Sequence, residues 1–480
     1  MNSIQPNILL IMSDEHAPMY SSTYGHPLVH TPSMDRLAAE GVTFDNAYCN
    51  SPLCLPSRMS FMTGRFIHRI GAYDNACPLG QDQMTWAHRL RAVGYDVVLS
   101  GKQHFCGLDQ LHGFRDQLAR DLHAEAWMTN GVPRGVPDWS KGTPPAAKPW
   151  AALANAGPGT TEEIKIDDLV EEKSLEYLRD PTRRQQPWML CTSFIAPHFP
   201  FIVPQKFWDL YPPESIDLPE IPPGHLEHQH PVYQRMRRNF GNVEFPEEHV
   251  RLGRAGYYGL ISYFDEKIGT LLQALDDTGQ RDNTVVIHVS DHGEMNGEHG
   301  MWRKSNFYEA SSRVPVQIRW PGSLPADYRV KEVISLVDVV ATFVEITGAD
   351  TDNLDGESLL PLINDGGEWK NEAFCEYLAH GVAGPMAMLR RDQYKLNYSL
   401  GDPPELYNLE TDPNEFVNLA SDKNYHDLVN ELQADLLSRW DPVVLDERVR
   451  RSQQERGFIE RVHAQGPLFD LQEIGVGPSF

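Results

Sequence analysis

Cys54-Leu55-Pro56-Ser57-Arg58 brings a thiol, a proline and a guanidinium together in a chain of 480 residues that has only 6 cysteines. Pro56 fixes φ near the helical value and lacks an amide hydrogen that a first helical turn leaves unpaired in any case. The stretch therefore predicts a helix over 56–63 with Gly64 as its stop. Cys54 then stands just before a helix N-terminus, where free amides and partial positive charge favour a negative charge on residue 54 or on a bound anion. Arg58, one turn further in, can hold a carboxylate, sulfate or phosphate in a bidentate fork. Alone, the same stretch also suits a half-buried structural cysteine beside an ordinary helix.

Other reactive side chains follow short apolar runs. The runs 7–12, 95–100, 188–195 and 284–290 lead respectively into Asp14-Glu15-His16, Gly101-Lys102-Gln103-His104, Pro197-His198 and Asp291-His292-Gly293-Glu294. Each group taken singly also reads as a turn or a structural histidine. Ligands of open parallel sheets bind beyond the carboxyl ends of the strands, so one sheet edge would collect all four groups, with Arg58 and Lys304 supplied by neighbouring segments. Oxygen donors from Asp14, Glu15 and Asp291 suit Ca²⁺ or Mg²⁺, whereas the His292 imidazole draws toward Mn²⁺ or Zn²⁺.

The elements that must position these groups follow from the same pattern. Nearly continuous apolar runs separated by candidate helices at 34–40, 84–93, 166–178 and 251–277 predict an α/β fold whose strands are buried on both faces of a parallel sheet. Pro- and Gly-rich stretches at 131–159 and 197–230 read as long surface excursions. Short strands at 386–389 and 394–398 ahead of a helix at 425–437 place a domain boundary near residue 365. The tail from 441, with an arginine-rich helix and the late apolar residues Leu468, Phe469 and Phe480, is a candidate subunit contact.

With 41% hydrophobic residues the chain can bury a large core, and its net charge of −25 argues against nucleic acid and anionic membranes as partners. Charge totals describe the far field and leave an anionic substrate open. The cysteines show no CxxC pair and are expected as free thiols. The start has no basic n-region and too short an apolar run for a signal or a span, so a cytoplasmic location is expected.

Together these residues resemble a known family. Cys54-Leu55-Pro56-Ser57-Arg58 has the Cys-x-Pro-Ser-Arg form of the type I sulfatases of the alkaline-phosphatase-like superfamily, and NILLIMSD at 7–14 resembles their first strand and metal aspartate. The likeness continues through Gly101-Lys102-Gln103-His104, Ala196-Pro197-His198, Ser290-Asp291-His292-Gly293 and Lys304. Glu405-Leu406-Tyr407-Asn408-Leu409 with Asp412-Pro413 is similar to their C-terminal subdomain, so the likeness spans about 4–440.

The resemblance implies a large central, mostly parallel sheet sandwiched by helices, with a smaller C-terminal α+β subdomain. The expected division is 1–365 catalytic, 366–440 a subdomain with a small antiparallel sheet and a helix, and 441–480 a tail at a dimer or tetramer interface. It implies hydrolysis of sulfate monoesters, aryl or small alkyl, choline sulfate among them. Cys54 would be oxidised to formylglycine by a formylglycine-generating enzyme, and its hydrate would be the nucleophile. One divalent metal, Ca²⁺ first with Mn²⁺, Mg²⁺ or Zn²⁺ as alternatives, would be held by Asp14, Glu15, Cys54, Asp291 and His292. With Arg58 near, the hydrate would become an alkoxide; Lys102, Lys304 and the metal would spread charge away from the sulfuryl oxygens, His198 or Lys304 would assist the leaving alcohol, and His104 would take a proton from the sulfated hydrate.

Two departures stand out. Sulfatases commonly carry Asp-Asp and Asp-Asn where this chain has Asp14-Glu15 and Asp291-His292. The Asp-His pair and Asn75 resemble phosphonate monoester and phosphodiester hydrolases of the same superfamily, which stand as the alternative activity, and Glu15 then sits behind the ligands. The stretches 50–75 and 100–114 are similar to choline sulfatases, which enclose a quaternary ammonium with aromatic rings; Trp127, Trp139 and Trp150 are candidates for that role or for loop anchors. A non-catalytic metal- or anion-binding protein is the rival of another class.

Overall fold

A computed structural model of the chain describes residues 5–122, 149–242 and 245–463. Its strands are β1 (Asn7–Asp14), β2 (Val42–Tyr48), β3 (Asp96–Gly101), β4 (Asp116–Gln117), β5 (Gly157–Pro158), β6 (Trp188–Pro197) and β7 (Ile202–Val203). There follow β8 (Thr284–Ser290), β9 (Val316–Arg319), β10 (Tyr328–Ser335), β11 (Glu372–Tyr377), β12 (Met386–Arg391), β13 (Tyr394–Ser399) and β14 (Glu405–Asn408).

The apolar runs explain the central sheet. Its order is β10-β2-β9-β8-β1-β6-β3-β4, and β9 alone runs against its neighbours. The central strand β1 is buried from Ile8 to Asp14 because both faces are covered. Side chains alternate along a strand, so Leu9 and Ile11 enter one core with Val286, Ile261 and Leu271. Ile8, Leu10 and Met12 enter the opposite core with Met59, Trp86 and Phe343. The helices Glu162–Arg179 and Glu247–Asp277 thus cover one face, and Cys54–Thr63, Trp86–Ala92 and Leu336–Ile346 the other. This is the mostly parallel α/β sheet sandwiched by helices that the sequence predicts.

A second, antiparallel sheet runs β11-β12-β13-β14. Leu389, Leu396 and Leu406 on it share a core with Leu432 and Leu436 of the helix His426–Arg439. The helix Pro442–His463 follows. Leu468, Phe469 and Phe480 lie outside the described residues, as do Trp127 and Trp139. Within the two expected excursions, Gly157 and Pro158 pair with Ile202 and Val203.

Local boundaries differ in instructive ways. The reactive helix begins at Cys54, not at Pro56: Leu53 is extended, and the first helical bond runs from the Ser57 amide to the Leu53 carbonyl at 3.0 Å. Pro56 therefore occupies the third helical position, still inside the turn whose amides need no intrahelical acceptor. Gly64 ends the helix in the left-handed region, φ 66°. The helix predicted at 251–277 starts earlier, at Glu247, because Glu247 and Glu248 after Pro246 suit the positive end of a helix. All six cysteines are buried free thiols. Among the described residues no helix is long and apolar enough to cross a membrane.

Candidate active site

The sheet delivers its polar groups at adjacent strand ends. β1 and β8 pair in parallel with Ser13 opposite Ser290, so Asp14 and Asp291 leave the sheet side by side. β6 and β3 pair up to Ser193 and Gly101, which brings His198 and Lys102 to the same edge. The helix Cys54–Thr63 points its first turn at this edge.

Arg58 is wholly buried and ties the strand ends together. Its Nη2 donates to Asp14 Oδ2 at 2.9 Å, its Nε to Asp291 Oδ2 at 2.7 Å, and its Nη1 to the Lys102 carbonyl at 2.7 Å and Ser193 Oγ at 2.9 Å. The guanidinium thus holds two separate carboxylates by one nitrogen each, in place of a fork on a single anion. Ser57 Oγ adds a bond to the Asp291 carbonyl. Buried charges are costly unless paired, and here each carboxylate has its cation: Lys102 Nζ lies 2.8 Å from Asp14 Oδ2.

Around this base, Cys54 Sγ stands 3.1 Å from His292 Nε2 and 3.9 Å from Asp14 Oδ1. Asp14, Cys54, Asp291 and His292 each contribute one donor atom to a buried group whose members all lie within 4.8 Å of one another. Two carboxylates, an imidazole and the side chain of residue 54 form a donor set suited to a divalent cation. Glu15 is held elsewhere. Its Oε2 is 2.9 Å from Lys304 Nζ and 3.1 Å from His198 Nε2, and with Asp14 and His198 it forms a second donor group. Its Oε1 is buried without a hydrogen-bond partner.

The electrostatics follow from burial and pairing. Burial alone would raise the Asp14 pKa, but Lys102 and Arg58 outweigh it and hold the carboxyl well below its usual range. Burial, then the Asp14 charge, pushes the Cys54 thiol up to about 12. A helix N-terminus therefore does not by itself make Cys54 a thiolate at neutral pH. Burial pushes Glu15 up to about 8 against the pull of Lys304. Lys304 itself is raised, since Cys54, Glu15 and Asp14 together exceed its desolvation.

Above the donor group opens a cavity of about 440 Å³ with Cys54, Asn75, Lys102, His104, His198 and Lys304 in its lining. Asn75 Oδ1 accepts the Leu55 amide at 3.0 Å and so satisfies one free N–H of the reactive helix. His104 has a left-handed backbone, φ 60°, anchored by a bond from its amide to Asp121 Oδ2. Every site residue read from the sequence thus falls in the donor group, in its buried supports or on this cavity. Trp150 does not line it; the residue is 50% exposed, and Pro149 lines the wall instead.

Sequence reading passed over Phe199, Phe240, Trp302, Arg303 and His380, which also line the cavity. Phe199 and Arg303 had a signal in their adjacency to His198 and Lys304. His380 and Phe240 had none, because tertiary packing alone brings them in.

Comparison with known proteins agrees with this geometry. The family model described as Sulfatase matches residues 6–349, and that described as N-sulphoglucosamine sulphohydrolase, C-terminal, matches residues 297–441. A choline-sulfatase of Rhizobium meliloti (strain 1021) is 35% identical over 98% of this chain and 93% of its own length. An arylsulfatase of Clostridium perfringens (strain 13 / Type A) is 29% identical over 90% of this chain and 94% of its own. The crystal structure of the phosphonate monoester hydrolase of Agrobacterium radiobacter superposes with a TM-score of 0.73 at 27% identity, covering 90% of this chain and 95% of that one. Motif, fold and strand-end constellation coincide: the chain belongs to the sulfatase family and is a sulfuric ester hydrolase.

Proposed function

We propose that the chain cleaves sulfate monoesters of small alcohols or phenols with Cys54, converted to formylglycine by a maturing enzyme, as its nucleophile. The observation that carries this reading is the position of Cys54 Sγ, 3.1 Å from His292 Nε2 and 3.9 Å from Asp14 Oδ1 at the floor of a cavity lined by Lys102 and Lys304. Asp14, Asp291 and His292 would hold a divalent cation, Ca²⁺ first, which supplies Lewis acidity to the oxygen that residue 54 presents after conversion.

The chain's own residues do the rest. Lys102 and Lys304 face the cavity and spread the negative charge of a sulfuryl group. His198 Nε2, held 3.1 Å from Glu15, is placed to hand a proton to the departing alkoxide. His104, fixed through its backbone, lines the wall from which a proton leaves residue 54. Arg58 fixes the two carboxylates and stays away from the substrate.

Intact mass of the tryptic peptide ending at Arg58, after co-expression with the maturing enzyme, reads the conversion directly. Cys54→Ala is expected to abolish turnover while leaving the fold unchanged by circular dichroism; retained activity would falsify the nucleophile assignment.

A second reading, phosphonate monoester or phosphodiester hydrolysis with the same nucleophile, is favoured by His292 in the donor group and by the likeness to a phosphonate monoester hydrolase. The kcat/KM ratio of an aryl sulfate to a matched phenyl phosphonate ester separates the two. A large preference for the phosphonate reverses the ranking.

A further inference from the structure

Resting on the sulfatase reading, we infer that Arg303 is the anchor of a second anionic subsite, so that the preferred substrate is a sulfate monoester whose leaving group also carries a carboxylate. The two lysines of the cavity are each within ion-pair distance of a carboxylate, Lys102 at 2.8 Å from Asp14 and Lys304 at 2.9 Å from Glu15. Arg303 is not. Its guanidinium carbon lies 3.9 Å from the centroid of the Phe199 ring, and its Nη2 is buried without a hydrogen-bond partner among the described residues. Among the described residues no carboxylate forms an ion pair with this guanidinium; Glu294 accepts only from its backbone amide.

Contact with the Phe199 ring restrains the guanidinium, and its unpartnered Nη2 suits a planar anion. Arg303, Phe199 and Cys54 line one cavity of about 440 Å³. The arginine also carries a left-handed backbone, φ 71°, a cost a loop bears where the side chain must be aimed. A quaternary ammonium leaving group fits poorly here, because Arg303 and Lys304 already lie over the Phe199 ring, 3.9 and 5.4 Å from its centroid, and a further like charge beside them is unfavourable.

The test compares 3- and 4-carboxyphenyl sulfate with their methyl esters, in which only the charge and fork acceptor are lost. On the converted, metal-loaded protein, kcat/KM for the better carboxylate is expected to exceed that of its methyl ester by about tenfold. Arg303→Met keeps a side chain over Phe199 and is expected to bring that ratio close to one. A wild-type ratio near one overturns the inference; so does an equal loss on both substrates in Arg303→Met, since Arg303 then serves the sulfuryl group. If neither sulfate is turned over, the sulfatase reading fails separately, and calorimetry with 3- and 4-hydroxybenzoate against their methyl esters still decides. Binding of a carboxylate that Arg303→Met weakens about tenfold supports the subsite, and equal binding of acid and ester overturns it.

Discussion

Asp14 shows how one residue is shared between support and chemistry. Its Oδ2 is taken by Arg58 and Lys102, which leaves Oδ1 turned toward Cys54 and His292. Removing a cation from such a pair leaves a buried charge uncompensated, a larger effect than the pair's own worth. Arg58→Met is therefore expected to cost about 3 kcal/mol of stability, read as a lower urea midpoint with unchanged slope. Lys102→Met is expected to lower kcat by about a hundredfold with a smaller change in KM, the pattern of a group that acts on developing charge. A fall in KM-type binding alone would contradict that role.

At the scale of elements, the site depends on how strand ends are held open. β6 must leave the sheet at its end to present His198, and Asp167 of the helix Glu162–Arg179 does this by accepting the amides of Ile195 at 2.7 Å and Ala196 at 2.8 Å. Asp167 is fully buried, so Asp167→Ala strands two donors with no water to replace it. The expected loss is about 3 kcal/mol, with faster amide exchange at 195 and 196 as the local signature. The reactive helix shows the same economy. Pro56 gives up a donor the first turn cannot use, and Asn75 satisfies the Leu55 amide beside it.

Across the whole molecule, the helix Pro442–His463 reaches back to the cavity wall. Arg456 grips Asp74 by two nitrogens, at 2.9 and 2.6 Å, and Gln453 adds a bond at 3.2 Å; the neighbour of Asp74 is Asn75. Burial would raise Asp74, but Arg456 outweighs it and the carboxyl stays below its usual range. A carboxyl lowered in the folded state adds stability that is present above its unfolded pKa, about 4, and is lost as pH falls through the folded value. Arg456→Met is expected to cost about 3 kcal/mol at neutral pH, with the deficit shrinking as pH falls toward 4 because the stranded carboxylate can then take a proton. Urea melts across that range measure it, and a pH-independent deficit would argue against the charge account. Cation binding to the donor group should raise the melting temperature by mass action, about 4 kcal/mol at a thousandfold excess over Kd, and a chelator should reverse it. Calorimetric titration with Ca²⁺, Mn²⁺, Mg²⁺ and Zn²⁺ ranks the ions independently of turnover.

The sequence by itself determined which side chains could react and that strand ends would gather them, because apolar runs buried on both faces mark parallel strands and ligands follow their carboxyl ends. β1, β3, β6 and β8 fall where those runs lie. Only the tertiary structure decided how the groups divide. Glu15 turns to Lys304 and His198, away from the donor group around Cys54, and Arg58 spans two carboxylates 277 positions apart in the chain (291 − 14 = 277). His380 and Arg456 reach the site's surroundings from segments whose local pattern says nothing of it. Periodicity reports the environment of a residue along its own element, whereas pairing of buried charge depends on which elements the fold brings face to face.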